Sequence, residues 1–416
     1  MCIRDRNSIN SELEEMGEIQ GAGKAMILRK ITLPLVLPAI LSAVILTFSK
    51  AIGTFGTINY LGSPVQYYTL SSQLYMNINS RDTQTGFAMA ILMIIIASIA
   101  VFVNQKLIGS RKSYATIGGK GGRSTLIGLG KVGRPVITAA LFVFFAVGII
   151  MPIVILVMES FMLKEGIYSL DNFTLHYWIG ESNPQIMEGL PGIFKNDEFI
   201  NSLFNSLRLT LVNGVFGTIF GQLLGYINAK GRGRLHGKLV EQLVFIPYLI
   251  PSVAFGGIYL SMFSQPQQIF GVTLVPALYG TFALLTLVSV VKHLPFAARA
   301  GTSNMLQISG ELEEAATIEG AGFFRRFVKI VFPLSKGGFI SGFMLIFVSI
   351  MKELDLIILI MTPTTSTLPY LAFRYQNGNS PQASDCVAIV MFSIVFLVYA
   401  IANLSGKADL AKSMAG

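Results

Sequence analysis

EAATIEGAGFFRRFVKIVFP, residues Glu314 to Pro333, has a twin in EMGEIQGAGKAMILRKITLP, residues Glu15 to Pro34. A shift of 299 positions superimposes the two without a gap, pairing Glu12 with Glu311, Leu13 with Leu312, Glu14 with Glu313 and Glu15 with Glu314. The register continues through Gly21/Gly320, Ala22/Ala321, Gly23/Gly322, Ile31/Ile330 and Pro34/Pro333. It runs on into Leu35/Leu334, Ser42/Ser341, Leu46/Leu345 and Phe48/Phe347. Two copies in constant register define an internal repeat, and a repeat governs how the rest of a chain is read.

Outward from the motifs, the composition sets the solvent. Of 416 residues, 52% are apolar and 13% charged, and the mean hydropathy is +0.63. Soluble domains carry about 25% charged residues. Apolar runs lie at roughly 34–56, 86–104, 135–158, 205–228, 241–263, 275–292, 333–351 and 386–404. Each is close to the ~20 residues that cross a bilayer as a helix. The fold class is therefore an all-α polytopic membrane protein with about eight transmembrane helices. Cys2 and Cys386 lie at opposite ends and form no disulfide or metal framework. His176, His236 and His293 are scattered and belong to no HExxH pattern.

Lysine and arginine in the connecting segments decide orientation. Segments 1–33, 106–134, 229–240, 292–330 and 406–416 hold 23 of them, whereas 57–83, 159–204, 264–274 and 357–384 hold four. That asymmetry places both motifs on the cytoplasmic side. Six spans separate them, an even number, so the halves are parallel repeats. The net charge of +9 thus reads as topology and not as a nucleic-acid footprint. Residues 1–107 form the C-terminal part of a first half with motif 15–34. Residues 108–134 form a basic, Gly-rich cytoplasmic linker, and 135–416 a second half with motif 314–333. The second motif has four spans before it and the first has none. The chain is therefore expected to lack the N-terminal part of its first half, to open on residues that need not be native, and not to transport alone. The outer segment 159–204 is acidic and carries Trp178, the sole tryptophan; it suits either a soluble partner or plain solvation.

Each motif has a physical logic. Ser11 with Glu14 fits a capping box, and Gly310 with Glu313 takes the corresponding place. Glutamates at 311, 313 and 314 favour a helix N-terminus through its dipole. Small residues, Ala315 and Ala316 in one copy and Gly17 in the other, allow close approach to another surface. Gly21, Gly23, Gly320 and Gly322 permit a sharp turn. A basic amphipathic stretch follows, and the chain re-enters the bilayer at proline. A short helix held beneath the membrane and joined to a spanning helix is a geometry for receiving a push.

E-A-A-x3-G-x9-I-x-L-P resembles the motif of binding-protein-dependent ABC transporter permeases. Residues 314–333 match it except that Phe332 replaces Leu; residues 15–34 keep the spacing, but Met16 and Gly17 replace Ala-Ala. The segment LPFAARAGTSNMLQISGELEEAATIEGAG also resembles that family's approach to the motif. The resemblance implies a coupling helix that docks on a cytoplasmic ATPase, with Glu314, Ala315, Ala316 and Gly320 at one contact and Glu15, Gly17 and Gly21 at the other. It implies two ATPase subunits as partners, an extracytoplasmic substrate-binding protein, and an inner-membrane location. ATP and Mg would lie on the partner subunits, so this chain needs no cofactor and catalyses no covalent step. The linker TIGGKGGRS and the stretch MKELDLIILIMTP, residues 351–363, resemble fused permeases for ferric iron, although Asp355 stands where proline is usual; related permeases carry phosphonates, thiamine or polyamines. If iron is the cargo, its tight site belongs on the binding protein, because no carboxylate cluster in the spans offers a metal site.

Charges within or beside spans are pathway candidates: Lys50, Arg208, Lys336, Lys352, Glu353 and Asp355. Lys352 and Asp355, three apart, would share a helical face, either as a self-neutralising pair or as a polar gate. GGKGG, residues 118–122, fails the P-loop pattern because Gly121 follows Lys120. Two other classes compete with the permease. An ion-gradient-driven secondary transporter also uses repeats, often inverted. A membrane-embedded enzyme would need paired carboxylates or a nucleophile with its base inside the spans, and the sequence offers none.

Overall fold

The computed structural model describes residues 11–109, 130–186, 189–231, 234–306 and 308–404. The opening residues with Cys2, and most of the linker with its GGKGG loop, lie outside the described residues. The described residues divide into two compact units, one within residues 1–52 and 95–153 and the other within residues 53–94 and 154–414.

In the first unit, helix α1 (Ser11–Ile19) turns into a single-turn helix (Lys24–Ile27) and a π-helical stretch (Leu28–Thr32), which runs on into α2 (Leu33–Gly53). Within this hairpin, Gly17 is pressed on Ile27 and Ile31; a Cβ there would lie 3.0 Å from Ile31 Cδ1. The apolar side chains of Gly130–Phe145 point outward almost throughout. Acyl chains solvate such a surface as well as protein does, so no inward-facing stripe is needed.

The second unit is built round α3 (Asp197–Lys230), 34 residues and about 51 Å long at 1.5 Å per residue. Its polarity is inverted relative to a soluble helix. Ser202, Ser206, Thr210, Asn213, Gly214, Gly217, Thr218, Gly221, Gln222 and Gly225 are buried, while Phe204, Leu211, Phe216 and Phe220 face outward. Small side chains let helices approach closely where lipid supplies no hydrophobic drive. Helix α3 packs on α6 (Phe282–Met305) and α8 (Lys336–Met351). A Cβ on Gly221 would lie 2.3 Å from Ala297 Cβ, so glycine is required at that crossing.

Between α3 and α6 lie α4 (Leu235–Leu249) and α5 (Ser252–Phe263), which meet at a 97° bend. A small antiparallel hairpin, β1 (Gln267–Ile269) and β2 (Val272–Val275), leads on to α6. Helix α7 (Gly310–Ile318), a single turn (Phe323–Arg326) and a second π-helical stretch (Phe327–Val331) then bring the chain to α8. Helices α9 (Leu368–Asn377) and α10 (Pro381–Leu404) close the unit.

Among the described residues, five helices are long and apolar enough to cross a membrane, and seven if each bent pair is one span. The 21-residue α2 fills the remaining expected span. One boundary differs in kind. The run expected at 275–292 is a helix at 282–305: the hairpin and its return occupy 267–281, and the helix continues thirteen residues past Lys292. Thr281 is its N-cap, its hydroxyl accepting from Leu284 N.

The local structures recur in register. Elements 11–19, 24–27 and 28–32 correspond to 310–318, 323–326 and 327–331 at the 299-residue shift. Further on, Leu70–Asn79 and Leu368–Asn377 are each ten residues long and sit 298 apart, as do the left-handed residues Arg81 and Asn379. One residue is dropped in the loop between.

Candidate functional site

The short helices α1 and α7 end in the same way. Gly21 has φ +82° and Gly320 has φ +77°. Gly320 N donates to Thr317 O at 3.0 Å and Ala321 N to Ala316 O at 2.9 Å; Gly21 N donates to Glu18 O and Ala22 N to Gly17 O at 2.9 and 3.0 Å. This pair of bonds is the Schellman closure, in which a glycine at C′ satisfies the last carbonyls. The motif glycine is thus a helix terminator in the left-handed region. At the N-terminus of α7 the cap is Ser309, whose hydroxyl accepts from Glu311 N at 3.4 Å. It stands one residue before the expected Gly310, because a serine oxygen satisfies an orphan N–H that glycine cannot. Ser11 already lies inside α1.

The glutamate at the centre of each short helix is anchored. Glu313 is buried; it accepts from Tyr226 Oη at 2.7 Å and pairs with Lys230 Nζ at 2.8 Å, both on the last turn and a half of α3. Burial raises its pKa, but the hydrogen bonds of Lys230 and Tyr226 and the charges of Lys230 and Arg326 outweigh it, so the carboxyl titrates below its ordinary value. Tyr226 also packs edge-on to Phe323 and Phe327, at 5.7 and 5.8 Å, and Arg326 donates to the Thr317 hydroxyl. The equivalent residue in the first copy, Glu14, accepts from the Thr32 hydroxyl at 2.6 Å. Outward from each anchor the helix is bare. Glu314 and Ala315 are exposed and Ile318 is 86% exposed; in the first copy Glu15 and Met16 are exposed and Ile19 is 84% exposed. Of the sequence-proposed contact residues, Glu314, Ala315 and Glu15 lie on this bare face. Gly320 and Gly21 terminate the helices, Ala316 is half-buried, and Gly17 is buried against its own hairpin.

A second cluster gathers where three helices break. Lys292 Nζ donates to Pro247 O at 2.9 Å and to Ile250 O, the carbonyls left open by the bend between α4 and α5. Next to it, His293 Nε2 lies 3.4 Å from Glu353 Oε2, and its Nδ1 lies 2.9 Å from Ser289 O. Glu353 also accepts from Leu356 N at 3.0 Å, capping the segment after α8. Asp355 accepts from Gly56 N at 2.9 Å, at the start of the helix Gly56–Gly62. Gly56 and Asp355 are themselves 299 apart, so equivalent positions of the two repeats touch here.

This arrangement corrects the sequence reading of Lys352 and Asp355. Helix α8 stops at Met351, Lys352 is exposed at its C-cap, and Asp355 turns to a backbone N–H, so the two do not share a helical face. Lys50 is exposed and belongs to the other unit. Arg208 lies over the Phe282 ring at 4.1 Å, and Lys336 is exposed at the start of α8. Sequence reasoning misses Lys292 and His293, counting Lys292 with a cytoplasmic segment and assigning His293 no role. The signal available is their adjacency within a continuous apolar pattern.

A polytopic bundle whose spans are entered from short amphipathic hairpins defines a transport permease fold. The same fold occurs in the crystal structure of a bacterial ABC transporter that imports the acidic polysaccharide alginate, with a TM-score of 0.51 and 16% identity over 65% of this chain and 94% of that one. The chain belongs to the family described as binding-protein-dependent transport system inner membrane component, which matches residues 6–114 and 217–408. It is similar to the ferric transport system permease protein FbpB of Actinobacillus pleuropneumoniae, 22% identical over 98% of this chain and 56% of that protein. It is also similar to the sulfate transport system permease protein CysT of Synechocystis, 26% identical over 49% of this chain and 71% of that protein. The chain spans about half the length of the ferric permease it matches.

Proposed function

We propose that this chain forms part of the membrane subunit of an ATP-binding-cassette importer and passes cargo by alternating access. Cytoplasmic ATPase subunits would seat on the bare faces of α1 and α7, and an extracytoplasmic binding protein would deliver cargo at the opposite surface. The observation that carries this reading is the paired face: Glu314, Ala315 and Ile318 in one repeat, Glu15, Met16 and Ile19 in the other, open at the same register beside an anchored glutamate. ATP binding would draw the ATPases together and move both short helices. Because Glu313 is tied to Tyr226 and Lys230, a push on α7 is delivered to the end of α3, which packs on α6 and α8. The break cluster at Lys292, His293, Glu353 and Asp355 is then the polar junction that must rearrange when the bundle changes state, a two-state element biased by its partners. ATP and Mg lie on the partners, and both hairpins are cytoplasmic, as the 23-to-four lysine and arginine asymmetry supports.

For cargo we propose ferric iron. The support is coverage: the ferric permease aligns along both repeats, whereas the sulfate permease aligns with half of the chain. The test is co-purification of the chain with the ATPase encoded beside it, comparing the native sequence with Glu314→Lys and Gly320→Val. Binding abolished by both substitutions supports coupling; no ATPase, or binding indifferent to both, refutes it and favours an ion-gradient-driven carrier. Radiolabelled ferric iron bound by the neighbouring binding protein would support the cargo assignment, and binding of sulfate in its place would overturn it.

A further inference from the structure

The β1–β2 hairpin joins the bent α4–α5 pair to α6. Helix α6 is 24 residues, about 36 Å at 1.5 Å per residue, and its far end leads into α7. The hairpin therefore sits at the opposite membrane surface from α7. It is held close to that surface: Leu278 N and Tyr279 N both donate to Phe263 O, the last residue of α5. Only three residues separate α5 from β1.

Its surface is unlike that of an ordinary extramembrane loop. No charged residue occurs between Glu241 and Lys292. Phe270 is fully exposed at the tip, and Val272 and Leu274 are 60% and 61% exposed. Residues two apart on a strand share a face, so Val272 and Leu274 lie on one side. Thr273 and its register partner Gln268 lie on the other. The hairpin is thus amphipathic, with an aromatic tip. The turn is two residues, Phe270 and Gly271, at φ 52° and 78°. Asn-Gly is the favoured pair for such a turn, and a bulky side chain in the left-handed region is strained. Among the described residues nothing covers the Phe270 ring.

We propose that this hairpin is an anchor in the outer leaflet, with Phe270, Val272 and Leu274 immersed among the upper acyl chains and Gln268 and Thr273 turned to headgroups and water. A two-stranded ribbon has open N–H and C=O edges that cannot enter the hydrocarbon core, which restricts it to the interface. The absence of charge and the continuity with the ends of two spanning helices select lipid as the occupant over a soluble protein, whose docking surfaces carry polar rims. The anchor fixes the height of the α5–α6 connection while the helices tilt. This inference rests on the spans alone, not on the cargo or the ATPase.

The test uses the full chain in phosphatidylcholine vesicles, with or without bromine on the upper acyl chain. Trp178→Phe removes the native indole, and Phe270→Trp or Gln268→Trp then supplies a single reporter. Bromolipid should quench the indole introduced at position 270 by about half or more and aqueous iodide should barely touch it, with the opposite pattern at position 268. Where Trp178→Phe fails to fold, the difference between Phe270→Trp and the unsubstituted chain gives the same reading. Iodide quenching at 270 without bromolipid quenching overturns the proposal. So does protection that appears only after the binding protein is added.

Discussion

Replacing Glu313 by alanine tests the mechanical link between α7 and the membrane. Two interactions are lost: the Tyr226 hydroxyl at 2.7 Å and the Lys230 ammonium at 2.8 Å. A hydrogen bond to a charged group contributes roughly 1.5–3 kcal/mol. Lys230 is 43% exposed and recovers water when freed, so its share is held to about 1 kcal/mol or less. The expected cost is about 2–3 kcal/mol, which raises local opening of α7 roughly 30- to 150-fold. Amide hydrogen exchange over 310–322 reads this directly, with 368–377 as an internal control. Tyr226→Phe should reproduce most of the effect, Lys230→Met little of it, and a Glu313→Ala/Tyr226→Phe double mutant no more than Glu313→Ala alone. Exchange changed by less than about twofold would refute the anchoring role.

The same geometry fixes three further outcomes. The Glu313 carboxyl titrates lower in the folded protein than in the unfolded one, so its contribution is complete above its ordinary value of 4.5 and is lost as pH falls through the lowered value. Protection of 310–322 should therefore be flat from neutral pH to about 5 and decline below it, once corrected for intrinsic exchange; a decline beginning near pH 7 would contradict this. Gly320→Val places a β-branched side chain at φ +77° and should cost about 1–2 kcal/mol, fraying α7, whereas Gly320→Asn should cost much less; equal exchange in the two variants would count against the Schellman assignment. Lys292→Met leaves the Pro247 and Ile250 carbonyls without their ammonium and should destabilise the unit by roughly 2–4 kcal/mol in thermal unfolding, with partial rescue by Lys292→Arg. An unchanged melting profile would mean that water serves those carbonyls equally well.

What the sequence discloses depends on where the physics is local. The 299-residue register, the apolar spans and the glycine turn are properties of neighbouring residues, and all are visible in the string. The anchoring of Glu313 is not. It depends on Tyr226 and Lys230, some ninety residues earlier, so in the sequence the glutamate reads only as a capping-box and helix-dipole charge. Lys292 and His293 escape notice for a related reason. A lysine in an apolar run looks like the end of a span, and only the bend at Pro247–Pro251 reveals carbonyls that need it. The sequence sets 264–274 apart as a connecting segment but does not show its strands, and it starts the next span at 275 instead of 282, because QQIFGVTLV has no charge to mark where the loop ends and a strand of that length cannot be separated from helix by hydropathy. Asp355 reads as a partner of Lys352 only if α8 continues beyond Met351, and it does not. Its actual partner, the N–H of Gly56, is a backbone group that no side-chain pattern encodes.

The π-helical stretches at Leu28–Thr32 and Phe327–Val331 carry a consequence about phase. Each α-helical residue advances the side-chain direction by about 100°, and a π-turn accommodates one extra residue without lengthening the path by a full step. Each hairpin is therefore keyed to its membrane helix by angle as well as by distance. Removing one residue from either stretch would let it relax to an α-helix with the downstream side chains kept nearly in phase, whereas removing one residue from the regular α-helix beyond it would swing every later side chain by about 100° relative to the hairpin. The second deletion would act as a clutch, leaving both the hairpin and the spanning helix intact while setting them out of step.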